Sequence, residues 1–205
     1  MPKQHAGTKA QLLSESSKTD VPEGTEKYDQ SASLDAIVRA CIEGDQHAMA
    51  ALYERCSSRV YALMVRIVGR QDADDLTQQV FLQMFRKLDQ FGGQARLETW
   101  LYRLATNEAL QHLRQRKRHA AGPLLSEPFV DDPSTVTDVE ETKLLERAVL
   151  SLEPELRAVL ILKEQEGLSY AEIADVVGIP EGTVGSRLNR ARKELRQQLT
   201  KLGWS

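Results

Sequence analysis

Apolar residues recur every three or four positions along most of this 205-residue chain, and glycines or prolines interrupt the pattern at intervals. Gly44 ends the first such segment, whose apolar residues are Leu34, Ile37, Val38, Cys41 and Ile42. Steps of three and four place side chains on one face of an α-helix, whereas a half-buried strand requires strict alternation. Because aromatic residues make up only 5% of the chain, any core consists mainly of aliphatic residues. We therefore predict an all-α fold.

The helical pattern falls into two blocks that are separated by an acidic segment. Residues 34–118 predict a bundle of four helices, and residues 142–202 predict a second, smaller bundle. The intervening residues 119–141 contain Pro123, Pro128 and Pro133 among acidic side chains, which is typical of a flexible linker. Residues 1–33 carry few apolar side chains and cannot offset the entropy of ordering, so we expect a disordered extension.

The distribution of charge is more informative than the net charge of −3. A basic segment from Arg103 to Arg118 and another from Gly182 to the C-terminus each contain only one acidic residue. Two basic patches of this kind favour a nucleic-acid partner.

Cys41 and Cys56 lack metal-ligand spacing, so we expect buried, reduced thiols. No apolar run is long enough to cross a bilayer, and we expect a soluble, cytoplasmic protein.

The segment from Ser169 to Leu195 predicts a helix-turn-helix. Ser169 and Glu172 fit a capping box at the start of the first helix, Gly178 ends that helix, and Pro180 begins the next. In the last helix an apolar stripe that includes Val184 and Leu188 lies opposite a polar, basic face. Arg and Asn on such a face can read base edges, while Lys and Ser hold phosphates. The alternative is an ordinary solvated helix face.

The stretch "LSYAEIADVVGIPEGTVGSRLNRARKEL" resembles the C-terminal DNA-binding region, region 4, of the extracytoplasmic-function (ECF, group 4) sigma factors of bacterial RNA polymerase. This resemblance implies binding to the minus 35 promoter element. It differs from the family pattern at Gly185, where a basic residue is usual. The residues that it implies for this contact are Thr183, Ser186, Arg187, Asn189, Arg190 and Lys193.

The stretch "DADDLTQQVFLQMFRKLDQF" resembles the helix with which region 2 of the family grips the clamp of the polymerase largest subunit. The resemblance implies core polymerase binding by Asp75, Gln78, Gln79 and Leu82. We also place Thr77 within this face, as a hypothetical phosphorylation site. The acids Asp72, Asp74 and Asp75 are an alternative metal site, but no Glu-x-x-His motif accompanies them, so we expect no metal.

The stretch "FGGQARLETWLYRLATNEALQHLRQRKR" resembles the promoter-opening segment of the family, in which a minus 10 base is unstacked and captured. Core packing is the favoured role of Trp100, rather than base stacking. Glu98 departs from the family pattern and would repel phosphate. The residues implied for the minus 10 contact are Phe91, Arg96, Arg103, Asn107, Gln111, Arg114, Lys117 and Arg118.

Together the resemblances imply a sigma factor that binds the clamp and flap region of core RNA polymerase and directs promoter recognition, DNA melting and initiation. They imply promoter DNA as a partner, an anti-sigma factor as a further candidate partner, and no catalytic residue, cofactor, metal or small-molecule substrate. Two alternatives remain open. One is a stand-alone helix-turn-helix regulator with a sensing N-terminal bundle, and the other is a helical hydrolase that uses the Asp72 cluster and needs a metal.

Overall fold

The computed structural model describes residue 28 and residues 32–93, 96–119 and 138–204. All the regular elements in these ranges are helical, which confirms the all-α prediction. A short 3-10 turn, Leu88–Gln90, follows the third helix. The α-helices are α1 (Leu34–Ile42), α2 (Gln46–Val68), α3 (Arg70–Lys87), α4 (Leu97–His119), α5 (Asp138–Leu150), α6 (Pro154–Glu164), α7 (Tyr170–Val177) and α8 (Glu181–Lys201).

Local side-chain caps and one glycine set the helix boundaries of the first bundle, α1 to α4. The Ser33 hydroxyl accepts a hydrogen bond from the backbone N–H of Ala36 at 3.2 Å, which caps α1. The Asp45 carboxylate caps α2 in the same way. Gly69 separates α2 from α3 at a φ of 95°, a conformation that other residues rarely adopt. As a result α3 begins at Arg70, slightly before the predicted start near Asp72.

The second bundle, α5 to α8, contains the predicted helix-turn-helix. Both hydrogen bonds of the capping box between Ser169 and Glu172 are present. Gly178 ends α7 in the left-handed conformation, with a φ of 70°. Pro180 is the N-cap of α8 rather than its first residue, since its ψ of 139° is extended and α8 begins at Glu181. The two helices pack through apolar residues that are fully or almost fully buried: Ile173, Val176, Val184, Leu188 and Ala191.

The two bundles pack directly against each other, an arrangement that the sequence did not predict. The apolar cluster of buried side chains runs continuously from one bundle into the other. Helix α4 of the first bundle lies against α7 of the second, and α2 lies against α5 and α6. Helix α7 also contacts α8, so a single helix separates the two segments that were predicted to bind DNA.

Buried hydrogen bonds from Arg157 on α6 join the two bundles. Its side chain is buried, and its guanidinium donates to the carbonyl oxygen of Ile67 in the last turn of α2. It also donates to the carbonyl oxygens of Leu150, at the end of α5, and Leu152, the latter at 2.8 Å. The last carbonyls of a helix have no partner within the helix. One cation therefore satisfies the ends of two helices that belong to different bundles.

Parts of the predicted disordered extension and of the predicted flexible linker are included in the described ranges. The Tyr28 hydroxyl donates to Asp45 at 2.9 Å, and Arg55 donates to the carbonyl of Ala32 at 2.9 Å. The predicted linker is bounded by α4, which extends through His119, and α5, which begins at Asp138. Residues 120–137, which form most of that linker, lie outside the described residues.

Several sequence expectations concern the chemistry of the described residues. Cys41 and Cys56 are buried and not bridged, and burial raises the pKa of both thiols, for Cys41 to about 11. Such thiols are poor nucleophiles at neutral pH. Within the same ranges no group of three or more His, Cys, Asp or Glu side chains is placed to hold a metal ion. None of the described helices combines the length and apolar character needed to span a bilayer.

Candidate nucleic-acid interface

A continuous exposed face on α3 carries the residues implied for polymerase binding. Asp75, Gln78, Gln79 and Leu82 are all exposed and follow one another at helical spacing. Leu82 is 57% exposed, the largest value for a large apolar residue in the part of the chain that the structure describes. Val80, Met84 and Leu88 are buried on the opposite side, as expected from the apolar spacing. A leucine held in water within a polar stripe is a suitable contact for another protein.

Thr77 does not belong to this face, and its proposed role as a phosphorylation site is wrong for the folded protein. The side chain is 5% exposed, and its hydroxyl donates to the carbonyl of Ala73 at 2.7 Å. A kinase could not reach this hydroxyl without unfolding α3, and a buried phosphate would carry an uncompensated charge.

Most of the residues implied for the minus 10 contact share one side of α4. Arg103, Asn107, Gln111, Arg114, Lys117 and Arg118 are exposed along that side. Phe91, which precedes α4, packs against Trp100 in the first turn of that helix, with ring centroids 5.4 Å apart, and both are partly buried against the core. The Arg96 side chain is 79% exposed, with its guanidinium 3.8 Å from the carboxylate of Glu98. Residues 94 and 95 of the predicted capture loop lie outside the described residues.

Carboxylates of the second bundle face this basic side of α4. Arg103 pairs with Asp175 of α7 at 3.1 Å, and Arg114 pairs with Glu155 of α6 at 3.8 Å. One turn before Arg103, the Thr99 hydroxyl is 3.3 Å from a carboxylate oxygen of Glu172. Two arginines implied for DNA binding are thus already paired with acids of the same chain.

The Tyr102 side chain, which is buried, makes a further polar contact along this boundary. It donates to the carboxylate of Glu166, which lies in the turn between α6 and α7. Arg66 of α2 approaches the same carboxylate at 3.6 Å. Burial raises the pKa of Tyr102 well above its usual range, and the hydrogen bond to Glu166 raises it further. The tyrosine therefore remains a neutral donor.

The residues implied for the minus 35 contact lie on or beside the side of α8 opposite its buried residues Val184, Leu188 and Ala191. Ser186, Asn189, Arg190 and Lys193 are exposed, whereas Thr183 and Arg187 are half-buried. The Arg190 guanidinium donates to Glu194 one turn later at 2.7 Å, and this hydrogen bond raises its pKa. The Ser186 hydroxyl is turned inward and donates to the carbonyl of Thr183 at 2.9 Å.

Gly185 lies at the edge of that face, beside the first helix of the motif. A Cβ atom at this position would be 3.5 Å from the Tyr170 ring, which is ordinary van der Waals contact. The Tyr170 ring also has the Lys163 ammonium 5.6 Å from its centroid. A long side chain at position 185 would therefore have to pass the tyrosine to reach DNA.

Sequence reasoning missed the side chains that join one helix or bundle to another. The Asp72 carboxylate receives hydrogen bonds from both His112 and Arg116 of α4 at 3.1 Å, so it links α3 to α4. Arg157 was not singled out, and neither was the row of acids opposite α4. The sequence contains one usable signal: Arg157 interrupts an otherwise apolar run from Leu156 to Leu162. A charge in such a run indicates a buried cation with a specific partner.

Two family profiles match this chain in the order of its two bundles. The profile described as "Sigma-70 region 2" matches residues 52–119, and the profile described as "Sigma-70, region 4" matches residues 142–195. The first match ends with α4, and the second spans from α5 into α8.

Curated proteins with similar sequences carry consistent names. The chain is 36% identical over 194 residues to the ECF RNA polymerase sigma factor SigE of Mycolicibacterium smegmatis, covering 89% of this chain and 70% of that protein. It is 33% identical to the ECF RNA polymerase sigma-E factor of Haemophilus influenzae, covering 82% of this chain and 95% of that protein.

A solved structure extends the similarity to three dimensions. The sigma factor RpoE of Bartonella quintana, crystallised with the anti-sigma factor NepR, has a TM-score of 0.61 and 25% identity; the match covers 72% of this chain and 94% of that chain. CnrH in complex with the cytosolic domain of CnrY shares the fold, with a TM-score of 0.59 and 24% identity over 81% of this chain and 96% of that one.

Proposed function

This chain belongs to the extracytoplasmic-function family of RNA polymerase sigma factors. From that membership we propose which of its surfaces bind polymerase and which bind each promoter element. A sigma factor directs core RNA polymerase to promoters, and the match of both regions in order carries this conclusion. The family is not a class of enzyme, and in our proposal this chain has no catalytic group of its own because polymerase supplies the chemistry. In this proposal the protein acts in the cytoplasm, where it binds core polymerase.

The exposed face of α3 is the proposed contact with the polymerase clamp. Leu82 enters an apolar site on the polymerase, and Asp75, Gln78 and Gln79 make hydrogen bonds around it. The observation that supports this assignment is the 57% exposure of Leu82 at the C-terminal end of this polar face. Burying such a side chain at an interface is worth about 1.5 kcal/mol or more.

The basic side of α4 is the proposed contact with the minus 10 element. Arg103, Arg114, Lys117 and Arg118 approach the phosphates, while Asn107 and Gln111 are the side chains with both donors and acceptors for base edges. Arg96 and the Phe91 ring lie at the end of the helix where the captured base would sit. The observation that supports the contact by the α4 residues is that they share one exposed side of the helix.

The outer side of α8 is the proposed contact with the minus 35 element. Its exposed Asn189 and Arg190 are suited to the major groove, with Lys193 and Ser186 toward the phosphates. Thr183 and Arg187 lie at the margin of this surface. Glu194 holds Arg190 in the free protein, so DNA must displace that carboxylate.

We also propose that an anti-sigma factor regulates this chain. The supporting observation is that the similar sigma factor from Bartonella quintana was crystallised with one. The stand-alone helix-turn-helix regulator is not favoured, because the first bundle matches sigma region 2 rather than a sensing domain.

Abortive transcription with purified core polymerase tests the proposal. We expect initiation on a promoter library, and permanganate-reactive thymines near the start site, only when this protein is present. Asp75→Lys with Gln79→Lys should abolish initiation and leave duplex binding by the free protein intact. Glu43→Lys with Gln46→Lys, on the α1–α2 side, introduces the same change in charge and should have little effect. Duplex binding without initiation or strand opening would instead establish a stand-alone regulator.

A further inference from the structure

We propose that Asp72 on α3 is a positioning residue for the minus 10 contact, because its carboxylate holds the C-terminal end of α4 in one place. This inference rests on the proposed binding of promoter DNA by α4. It adds a role for a side chain that does not itself touch DNA. We call residues 114–119, which form this end of the helix, the basic end of α4.

The basic end of α4 has no apolar contact of its own. Leu113 is the last apolar residue of α4 that packs against the core. Residues 114–119 contain no apolar side chain, and all six are exposed. Four of the six are arginine or lysine, so their charges repel one another. Polar contacts must therefore decide where the basic end lies.

Asp72 makes a polar contact that can fix this end. One oxygen of its carboxylate accepts hydrogen bonds from Nε2 of His112 and from the guanidinium of Arg116, each at 3.1 Å. The histidine is the donor here because an ionised carboxylate can only accept. Since the two donors are one turn apart on the same side of α4, the contact fixes the rotation of the helix as well as its position.

The surroundings of Asp72 favour this contact over the other ion pair at the basic end. The Asp72 side chain is 23% exposed, whereas Arg114 and Glu155, which form the other pair, are both more exposed. A partly buried pair is screened less by salt. Asp72 also lies in the first turn of α3 and Arg116 in the last turn of α4. Each charge is thus at the end of its own helix dipole that stabilises it.

A second side chain of α3 holds the middle of α4. Glu108 is the single acidic residue between Arg103 and Arg118, and the side-chain amide of Gln83 donates to its carboxylate. This contact keeps the acid on the α3 side of α4, away from the exposed side that carries Asn107. Because α3 also carries the proposed polymerase face, one helix positions α4 for both partners.

Asp72→Ala is the decisive variant, because two competing effects have opposite signs. Removal of a negative charge beside a basic surface should by itself tighten DNA binding. Loss of position should weaken it, since the basic end must then be ordered when DNA binds. Asp74→Ala is the matched control, because it removes the same charge from an exposed side chain on another side of α3.

The position of the basic end is measured first, without DNA. A nitroxide label on Gln115→Cys reports nanosecond motion of this end by electron paramagnetic resonance, while the buried native thiols stay unlabelled. We expect a more mobile spectrum in the full-length Asp72→Ala variant than in Asp74→Ala. Asp72→Glu keeps a carboxylate within reach of α4 and should restore the less mobile spectrum.

DNA binding is then measured with the same substitutions in the unlabelled full-length chain. The probe is a fluorescein-labelled, randomised single strand of roughly 15 nucleotides. Asp72→Ala should bind it about fivefold more weakly than Asp74→Ala does, as expected for residues coupled in one network. Asp72→Glu should bind as the unmodified chain does, which separates positioning from a general loss of folding.

Three outcomes would overturn the proposal. Equal label mobility in Asp72→Ala and Asp74→Ala would mean that the carboxylate does not hold the basic end. Greater mobility with unchanged or tighter strand binding would mean that DNA senses the charge of Asp72 and not the position of α4. An unmodified chain that does not bind the strand would remove the minus 10 contact itself, and the role of Asp72 with it. The mobility difference would persist in that last case, so the two failures are distinguishable.

Discussion

The guanidinium of Arg157 donates to the carbonyl oxygen of Ile67, 90 residues earlier in the chain. A side chain of the second bundle therefore completes the last turn of a helix in the first. Burial lowers the pKa of this arginine to about 10, which still leaves it charged at neutral pH. Because two further carbonyl oxygens share the same cation, its removal affects both bundles.

Arg157→Met should lower the free energy of unfolding by about 2–4 kcal/mol, because it fills similar space but leaves buried carbonyl oxygens without a donor. Urea unfolding followed by circular dichroism measures the change. Arg70→Met is the matched control, since Arg70 is 70% exposed in a surface pair with Glu146, and it should change stability by less than about 0.5 kcal/mol. Equal losses in the two variants would show that the buried hydrogen bonds contribute nothing specific.

Glu172→Gln should reduce the dependence of stability on pH in mildly acidic solution. The backbone N–H and hydroxyl of Ser169 donate to this carboxylate and hold its pKa below the usual value of 4.5. A depressed carboxyl pKa contributes stability above the unfolded value, and this contribution is lost as pH falls through the folded value. In urea titrations at pH 6 and near pH 3, the unmodified chain should lose more stability than the variant does. Glu54→Gln, at an exposed site on α2, is the matched control for the loss of one carboxylate.

Leu82→Ala should weaken binding to core polymerase about tenfold with almost no change in folding stability. The side chain is largely in water in the free protein, so its truncation costs little until an interface buries it. Fluorescence anisotropy with labelled protein and purified core polymerase measures the affinity. Lys87→Ala, on a different side of the same helix, should bind as the unmodified chain does. An unchanged affinity for Leu82→Ala would remove this residue from the proposed contact.

Gly185→Ala should raise the stability of the second bundle by up to about 1 kcal/mol, because alanine favours a helix interior and its Cβ meets the Tyr170 ring at an ordinary 3.5 Å. Gly178→Ala provides the opposite case: a φ of 70° strains any residue with a Cβ, and it should lower stability by a similar amount. Thermal unfolding ranks the two variants. A destabilised Gly185→Ala would mean that the tyrosine cannot accommodate the added methyl group.

Local signals were enough to predict most of the fold. Caps, glycines and apolar spacing act within a few residues, so the helix-turn-helix and the boundaries of α2 follow directly from the sequence. The burial of Thr77 could also have been predicted from the sequence, because this residue lies on the same side of α3 as Ala73, Leu76, Val80 and Met84, which are buried. Placing it on the exposed face with Gln78 ignored this spacing.

The packing of one bundle on the other could not be predicted in this way. Arg103 and Asp175 are 72 residues apart, and neither lies in a pattern that selects the other. Each looks like an ordinary charged residue on its own helix. Contacts of this range depend on how two complete surfaces fit, and apolar periodicity indicates only which side of a helix is buried. The residues proposed for DNA and polymerase remain predictions that binding experiments must test.

The hydrogen bonds of Arg157 also couple the unfolding of the two bundles. The last turns of α2 and α5 share one cation, so disordering of either bundle removes a hydrogen-bond donor from the other. The free chain should therefore unfold in a single cooperative transition rather than one bundle after the other.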